Sequence, residues 1–543
     1  MKKHNTFKIV LGTMLVFAIL SWIIPAAYYS GEFVDQGRVQ VGLFDLFNYS
    51  LTSLSYFGYI GLFLIFVGGL YGVLNKIPAY RDLLDAIAKK SAGKEKVILS
   101  VIMVLLAIIV SVWGIEIEML LFAPFIISLV FALGFDKVVA ALTVAGSSIV
   151  GVAGSTYAYG KIGMLTQALG VDITSDIYVK LMILLVGLVL LIFNTLLYIK
   201  KSESSVAAVK KESKVEVKDE PVVAKKVAVK KVAKKVPAKK SETKSTKSTS
   251  KTTTKTSAKT SSKTSAKTTK SASKTTKKTS KNVNKAAAKD GDVIVVKNDK
   301  KQKVWPLATI LVLLLVLVLL AFFPWTSSFT VTWFEDASKA VSEFTLFGFP
   351  LFAKLLGTFN SFGGWMSSDL FLAISLAIVL LSLVYKVKLT EALEGFAEGA
   401  KKALGPAGMV ILIYTILVLT TYHPFQLTIY KVVLGLTKGF NIATASIVAI
   451  LSALFNGDAA YAFQSVLPYF TSVVTNTEFY STIGVLFQSV YGVTMLVAPT
   501  SLILMLVLTY LDLPYLNWLK NTWKFVLEFF AIILIVVVIL VLL

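Results

Sequence analysis

The chain of 543 residues has no cysteine, only two histidines and only two arginines. Without thiols there is no disulfide, no thiolate nucleophile and no Cys-ligated metal centre, so the fold must hold without covalent staples. His4 and His423 are too few for a histidine-rich metal centre. Arg38 and Arg81 leave nearly all positive charge to lysine, which bears on carboxylate recognition because guanidinium forks are its usual receivers. Charge of either sign is also scarce, at 16% of residues against 56% hydrophobic. The mean hydropathy is +0.74, yet the formal net charge is +24.

Position reconciles the two. Residues 200–303 hold 32 lysines against nine acids, and the rest of the chain nets only +1. That segment has no aromatic residue, and its middle repeats Lys, Thr, Ser and Ala, as in Lys263-Thr264-Ser265-Ala266-Lys267-Thr268-Thr269-Lys270. It cannot bury enough apolar surface to offset the ordering entropy, so disorder is expected. A block of this charge is expected to stay in the cytoplasm. The remaining body has the composition of a membrane protein.

About 20 helical residues cross a hydrocarbon core of about 30 Å, and only helices or closed barrels satisfy the backbone there. Fourteen apolar runs read as spans, among them 8–28, 54–75, 115–134, 137–153, 406–421, 424–437, 441–455 and 481–511, the last broken at Pro499. The first run is read as a retained helix rather than a cleaved signal, since Pro25-Ala26-Ala27-Tyr28 is a poor cleavage site. Lys2, Lys3 and Lys8 set its start in the cytoplasm, and the basic stretch 76–96 sets the loop after the second span there too. The expected fold class is an all-α polytopic membrane protein. It comprises a first membrane repeat (1–199), a disordered cytoplasmic linker (200–303) and a second membrane repeat (304–543).

The two flanks correspond in order. Gly42-Leu43-Phe44 is answered by Thr345-Leu346-Phe347, the amphipathic stretch 78–91 by 390–403, and Gly134-Phe135-Asp136 by Gly439-Phe440-Asn441. Tyr157-Ala158-Tyr159 is answered by Tyr461-Ala462-Phe463. Duplicated membrane domains are typical of secondary transporters. Inverted repeats would put the second amphipathic stretch outside, which the weaker basic bias of 386–402, net +1 against +3 for 76–96, permits.

Polar and ionisable groups inside an apolar body are functional candidates by default. Glu116 and Glu118 sit between two short apolar runs, a place suited to a re-entrant hairpin tip, where they could meet a cation, a proton or a substrate ammonium; the alternative is a solvated turn. His423, set before Pro424 and near Thr420 and Gln426, marks a helix break and offers polar atoms to a small solute, or is merely structural. The small-residue run 146–157 includes Ser155 and Thr156, and either packs helices closely or frees N–H groups for a carboxylate. Asn456-Gly457-Asp458 is a turn signal within an apolar run, and Asp458 is the foremost candidate. Gln488, Thr500 and Ser501 flank the break at Pro499, where hydroxyls can re-satisfy the backbone or hold a ligand.

Trp22-Ile23-Ile24-Pro25-Ala26, Val67-Gly68-Gly69-Leu70-Tyr71-Gly72-Val73, and Glu116 and Glu118 with Phe122-Ala123-Pro124 together resemble the YfcC/DcuC-type carriers of the ion-transporter superfamily. The stretch from Gln488 to Ser501 and Leu513-Pro514-Tyr515-Leu516-Asn517-Trp518-Leu519-Lys520 are similar to the end of that family. The resemblance implies a secondary carrier with two repeats, each with a hairpin and a broken helix around a central solute site. It implies C4-dicarboxylates or amino acids such as arginine and ornithine as solutes.

No phosphate-binding Gly-x-x-x-x-Gly-Lys-Ser/Thr loop, His-Glu-x-x-His or Gly-x-Ser-x-Gly occurs, so nucleotide-driven pumping and the commoner hydrolytic sites find no support. An aspartyl hydrolase would need Asp458 and Asp512 to face each other. A second class of function is membrane insertion or ribosome tethering through the basic linker, which could bind RNA or anionic lipid without sequence readout. Within transport, acids occupy the candidate positions while the intramembrane cations are Lys161, Lys354 and Lys431, which favours an amino acid, with a C4-dicarboxylate as the alternative. The expected partners are the solute, the bilayer of the plasma membrane, anionic lipid or RNA at the linker, and a second copy in a homodimer. No organic cofactor or bound metal is expected, and Na+ or H+ is the candidate coupling ion.

Overall fold

The computed structural model describes residues 5–172, 174–215, 302–357 and 359–542. The expected disorder of the linker therefore concerns residues outside the described ones. Before the linker come α1 (Asn5–Ile23), the antiparallel pair β1 (Ala26–Tyr29) and β2 (Phe33–Gly37), α2 (Leu43–Asn75), α3 (Pro78–Lys90) and α4 (Glu95–Trp113). There follow α5 (Ala123–Ala132), α6 (Lys137–Ala141), α7 (Ser147–Ala153), α8 (Tyr159–Leu169) and α9 (Ile177–Val215). After the linker come α10 (Trp305–Phe322), α11 (Trp325–Phe329), α12 (Trp333–Glu343), α13 (Leu351–Leu356), α14 (Leu370–Tyr385) and α15 (Leu389–Tyr422). The chain ends with α16 (Phe425–Leu434), α17 (Ile442–Phe455), α18 (Ala459–Val473), α19 (Tyr480–Thr494), α20 (Leu502–Leu511) and α21 (Tyr515–Leu542). Both flanks belong to one compact unit.

The body is helical, as expected, but the spans differ from the expected fourteen. Among the described residues seven helices are long and apolar enough to cross a membrane: α1, α2, α4, α9, α10, α15 and α21. Several expected spans are half-length helices instead. Residues 115–134 form a 3-10 turn at Glu118–Leu121 followed by α5, and 424–437 contains the 10-residue α16. Ten residues rise about 15 Å, half of a hydrocarbon core. Run 137–153 is α6 and α7 joined by a π turn at Leu142–Gly146, and run 481–511 is α19 and α20 separated near Pro499. Conversely, 390–403 and 406–421 are one helix, α15, with Pro406 inside it and buried. A proline removes one ladder bond, and packing on a neighbouring helix keeps such a helix continuous. The first helix ends at Ile23 rather than 28, and α9 continues to Val215, past the boundary placed at 199.

The duplication is visible in the caps. Asp136 accepts from the N–H groups of Val138 and Val139 at the start of α6, and Asn441 accepts from Ala443 and Thr444 at the start of α17. Each capped helix follows a 10-residue helix and leads to a break, at 154–158 and at 456–458.

Charge marks one end of the molecule. Lys76 pairs with Glu398 at 3.0 Å and Lys96 with Glu203 at 3.2 Å. Gln302 Oε1 accepts from the Ala79 N–H. The stretch 76–96, both flanks of the linker and the start of α15 thus share an end, so the opposite placement considered for 390–403 is not what the structure has.

Helices α2 and α15 cross antiparallel with their backbones in contact. A Cβ at Gly72 would collide with the Gly395 carbonyl oxygen, and one at Gly399 with that of Gly68. Only glycine permits this approach. Gly72→Val is therefore expected to destabilise the protein by roughly 1–3 kcal/mol or to prevent folding. Gly12→Ala, a helical site with open space at its Cβ, should be neutral or slightly stabilising in the same thermal-unfolding assay.

Candidate functional site

Two breaks meet at the centre of the body. Gly114 ends α4 in the left-handed region (φ 69°) and packs against Ala158 in the break after α7. Thr156 N–H donates to the Ser111 carbonyl at 2.9 Å, and Ser111 Oγ donates to the Gly154 carbonyl at 2.7 Å. From the second half, Asn456-Gly457-Asp458 separates α17 from α18 and touches the break before α20. A Cβ on Gly457 would strike the Thr500 carbonyl oxygen.

Between these breaks lies a cavity of about 70 Å³, lined among others by Glu116, Tyr414, Gly457, Asp458, Tyr491 and Ser501. One water needs roughly 10–15 Å³, so several waters or a small ion fit. Glu116 comes from the first half and Asp458 from the second. Asp458 caps α18, its Oδ1 accepting from the Tyr461 N–H at 3.0 Å, and Tyr414 Oη interacts with the same carboxylate. Ser501 stands at the N-cap of α20 without a side-chain capping bond, and Leu502 and Ile503 of its first turn also line the cavity. The cavity therefore combines two acids with a positive helix end, and no lysine, arginine or histidine is among its described lining residues.

The candidate residues thus divide. Glu116, Gly457, Asp458 and Ser501 come together at the cavity. Ser155, Thr156, Gln488 and Thr500 lie around it and bond to backbone, although Gln488 Oε1 is buried without a partner. Gln488 Nε2 donates to the Ser155 carbonyl at 2.8 Å, and Thr500 Oγ1 donates to the Ala453 carbonyl at 2.7 Å. Asn456 caps α17, and its carbonyl accepts from Tyr491 Oη at 2.8 Å. Glu118 does not line the cavity; it accepts from Ser367 Oγ at 2.6 Å, just before α14. His423 is clamped elsewhere, between Tyr49 Oη on Nε2 (2.6 Å) and the Val39 carbonyl on Nδ1 (2.7 Å). That pairing assigns the proton to Nδ1.

None of the three expected cations reaches the cavity in the described residues. Lys354 and Lys431 are exposed, the latter with Nζ 3.9 Å from the centroid of the Phe33 ring, and the Lys161 side chain lies outside the described ones. Sequence reasoning missed the buried Lys180 near the start of α9, as well as Tyr414, Tyr491 and Ser367. Asp512 sits exposed at the far end of α20, so it cannot form a dyad with Asp458.

Comparison with known proteins supplies the family. The family model described as C4-dicarboxylate anaerobic carrier, DcuC, matches residues 4–240 and 263–542. The chain belongs to the DcuC family. Its membrane-spanning helices and apolar composition are those of a multi-pass carrier, and the resemblance noted in the motifs holds over both flanks. An uncharacterized protein of Haemophilus influenzae is 29% identical over 140 residues, which is 26% of this chain. The match spans 28% of that relative's length.

Asp458→Asn and Glu116→Gln each remove a charge from the cavity while keeping shape. Each is expected to lower solute exchange in proteoliposomes by about tenfold or more, with thermal unfolding little changed. Unaltered exchange in both would remove the cavity as the site. Gly457→Ala should cost roughly 1–3 kcal/mol in thermal unfolding, because the Thr500 carbonyl must move.

Proposed function

We propose that the protein is a secondary active carrier of a small C4-dicarboxylate, coupled to a cation. The single observation that supports this reading most is the cavity itself, where two acids from opposite halves stand beside the unfilled N-terminus of α20. One carboxylate of the solute lies against the N–H groups of Leu502 and Ile503, where the helix dipole favours negative charge. Glu116 and Asp458 receive protons or Na+ with it. The broken helices move against the intact ones to open the cavity to either side in turn. The family's description favours the dicarboxylate over the amino-acid solute to which the acid-rich motifs pointed.

A second reading rests on a specific observation, the lack of any lysine or arginine among the described lining residues. An amino acid would place its ammonium at Glu116 and Asp458 and its carboxylate at α20. Counterflow in proteoliposomes with labelled succinate, arginine, ornithine and a neutral amino acid separates the two. Succinate exchange is the expected result, and exchange of arginine or ornithine with none of succinate would replace the first reading by the second.

The linker, in this reading, is a cytoplasmic spacer in a plasma-membrane protein whose N-terminus is also cytoplasmic. The family assignment of the body counts against insertion or ribosome tethering as the main activity. Deleting residues 205–300 should leave exchange within about twofold while weakening association with vesicles of anionic lipid, each lysine near such a surface contributing roughly 1 kcal/mol. Loss of exchange in that deletion would refute the spacer role.

A further inference from the structure

Between α10 and α14 the chain forms three short helices, α11, α12 and α13, and none of them has a buried residue. The place of this stretch is fixed by its two flanking helices. Tyr385 Oη, at the end of α14, accepts from the Leu307 N–H at 3.0 Å and donates to the Lys303 carbonyl at 2.7 Å, so α14 finishes where α10 starts. At the other end the Gly363 N–H donates to the Ala321 carbonyl at 2.8 Å. The stretch therefore lies at the end of the body remote from Gln302 and Ala79.

Its apolar side is turned the wrong way for water. At 3.6 residues per turn, Trp333, Ala337, Ala340 and Val341 share an arc of about 100° on α12, and all four are exposed. Glu335, Ser338 and Ser342 lie on the opposite, half-buried side, where Glu335 Oε1 accepts from Thr326 Oγ1 of α11 at 2.6 Å. Asp336, Lys339 and Glu343 occupy a third side and are exposed. A surface helix in water packs on the body through its apolar stripe; α12 packs largely through polar side chains and offers the stripe outward. The next residues do the same. Leu346 and Phe349 exchange both backbone hydrogen bonds, at 2.8 and 3.0 Å, around Phe347 and Gly348, whose φ values are 52° and 79°. Such a turn usually takes Asn-Gly, and a bulky residue in the left-handed region costs of order 1–3 kcal/mol. Yet its tip is a phenylalanine that is 100% exposed, while Trp333 is 77% and Leu355 of α13 72% exposed.

We propose that residues 332–356 dock on the bilayer surface as an interfacial anchor. Helix α12 lies in the membrane plane with its Trp333 to Val341 stripe on the acyl boundary, and the turn inserts Phe347 below the headgroups. Continuity argues for this occupant: the stretch joins the apolar helices α10 and α14, and aromatic side chains at the ends of spans settle at headgroup level. Charge says what kind of contact it is. Three acids against two lysines give residues 332–356 a net charge of −1, so the attraction is apolar and needs no anionic lipid. The anchored stretch also borders the first-half breaks. Phe329 of α11 packs on Tyr157 with ring centroids 6.1 Å apart, and Ser367, which follows α13, holds Glu118. The anchor does not rest on any reading of the solute.

The chain has no cysteine, so a single introduced one can carry a fluorophore alone. Val341→Cys on the apolar stripe, Phe347→Cys at the turn tip and Lys339→Cys on the charged side are each labelled and reconstituted in phosphatidylcholine vesicles, with and without phosphatidylglycerol. All three sites are exposed, and thermal unfolding in detergent checks that each variant keeps the wild-type fold. Labels at 341 and 347 should emit to the blue of the label at 339. They should be quenched several-fold more by lipids doxyl-labelled near the headgroup than by aqueous iodide, with the order reversed at 339 and no dependence on phosphatidylglycerol. Iodide quenching at 341 or 347 equal to that at 339 would overturn the anchor. So would a requirement for anionic lipid, or shielding from both quenchers that disappears as protein is diluted into more lipid, since the last result would make a second copy the occupant.

Discussion

The structure depends on one constraint: a helix broken inside an apolar body exposes backbone N–H and carbonyl groups that no solvent can satisfy. Each break here is closed by a side chain from elsewhere in the chain. The end of α7 is held by Gln488 and Ser489 from α19, whose amide and hydroxyl donate to the Ser155 and Ala153 carbonyls. The end of α17 is held by Thr500 and by Tyr491, which donate to Ala453 and Asn456. The end of α4 is held by the Ser111 and Thr156 pair. These side chains are therefore committed to holding the breaks. Those that remain facing the cavity are few, which is why Glu116, Asp458 and Ser501 stand out chemically.

The same constraint explains the small residues. Gly457 lies against the Thr500 backbone, Gly492 against Ala153 and Gly151 against the Ala107 carbonyl, each closer than any side chain would permit. These contacts bring the backbone of one break within reach of the side chains that close another. A glycine that reads in sequence as mere packing is thus also what lets a hydrogen bond across the break form. Stability and site geometry rest on the same approach distance.

The breaks were legible in the sequence because their causes are local: a left-handed glycine at Gly114, a proline after His423, the Asn456-Gly457-Asp458 turn, and Pro499. So was the duplication at Asp136 and Asn441, since both are N-caps and capping is a short-range interaction. Span lengths were less legible. Hydropathy does not distinguish a full crossing from a 10-residue half-helix, and Pro406 gave no sign that packing on α2 would carry α15 through it. The partners were not legible at all. Ser367 meets Glu118 across 249 positions and His423 meets Tyr49 across 374, and no periodicity links residues so far apart. In this structure both ring nitrogens of His423 are engaged in that clamp, the structural one of its two readings.

Electrostatics decides what the cavity can hold. A unit charge 4 Å from another interacts by about 4 kcal/mol at an effective dielectric constant of about 20, whereas a helix end contributes roughly 0.3–2 kcal/mol. A dianion brought beside ionised Glu116 and Asp458 would meet repulsion that the α20 dipole alone does not offset. A solute proposed for this cavity would therefore bring its own positive charge, or the acids would be neutralised before it binds. In the carrier proposed above, co-binding would follow from that inequality, since ionised acids repel an anion and neutralised acids do not. The net charge of +24 and the charge requirement of the site are separate properties of one chain.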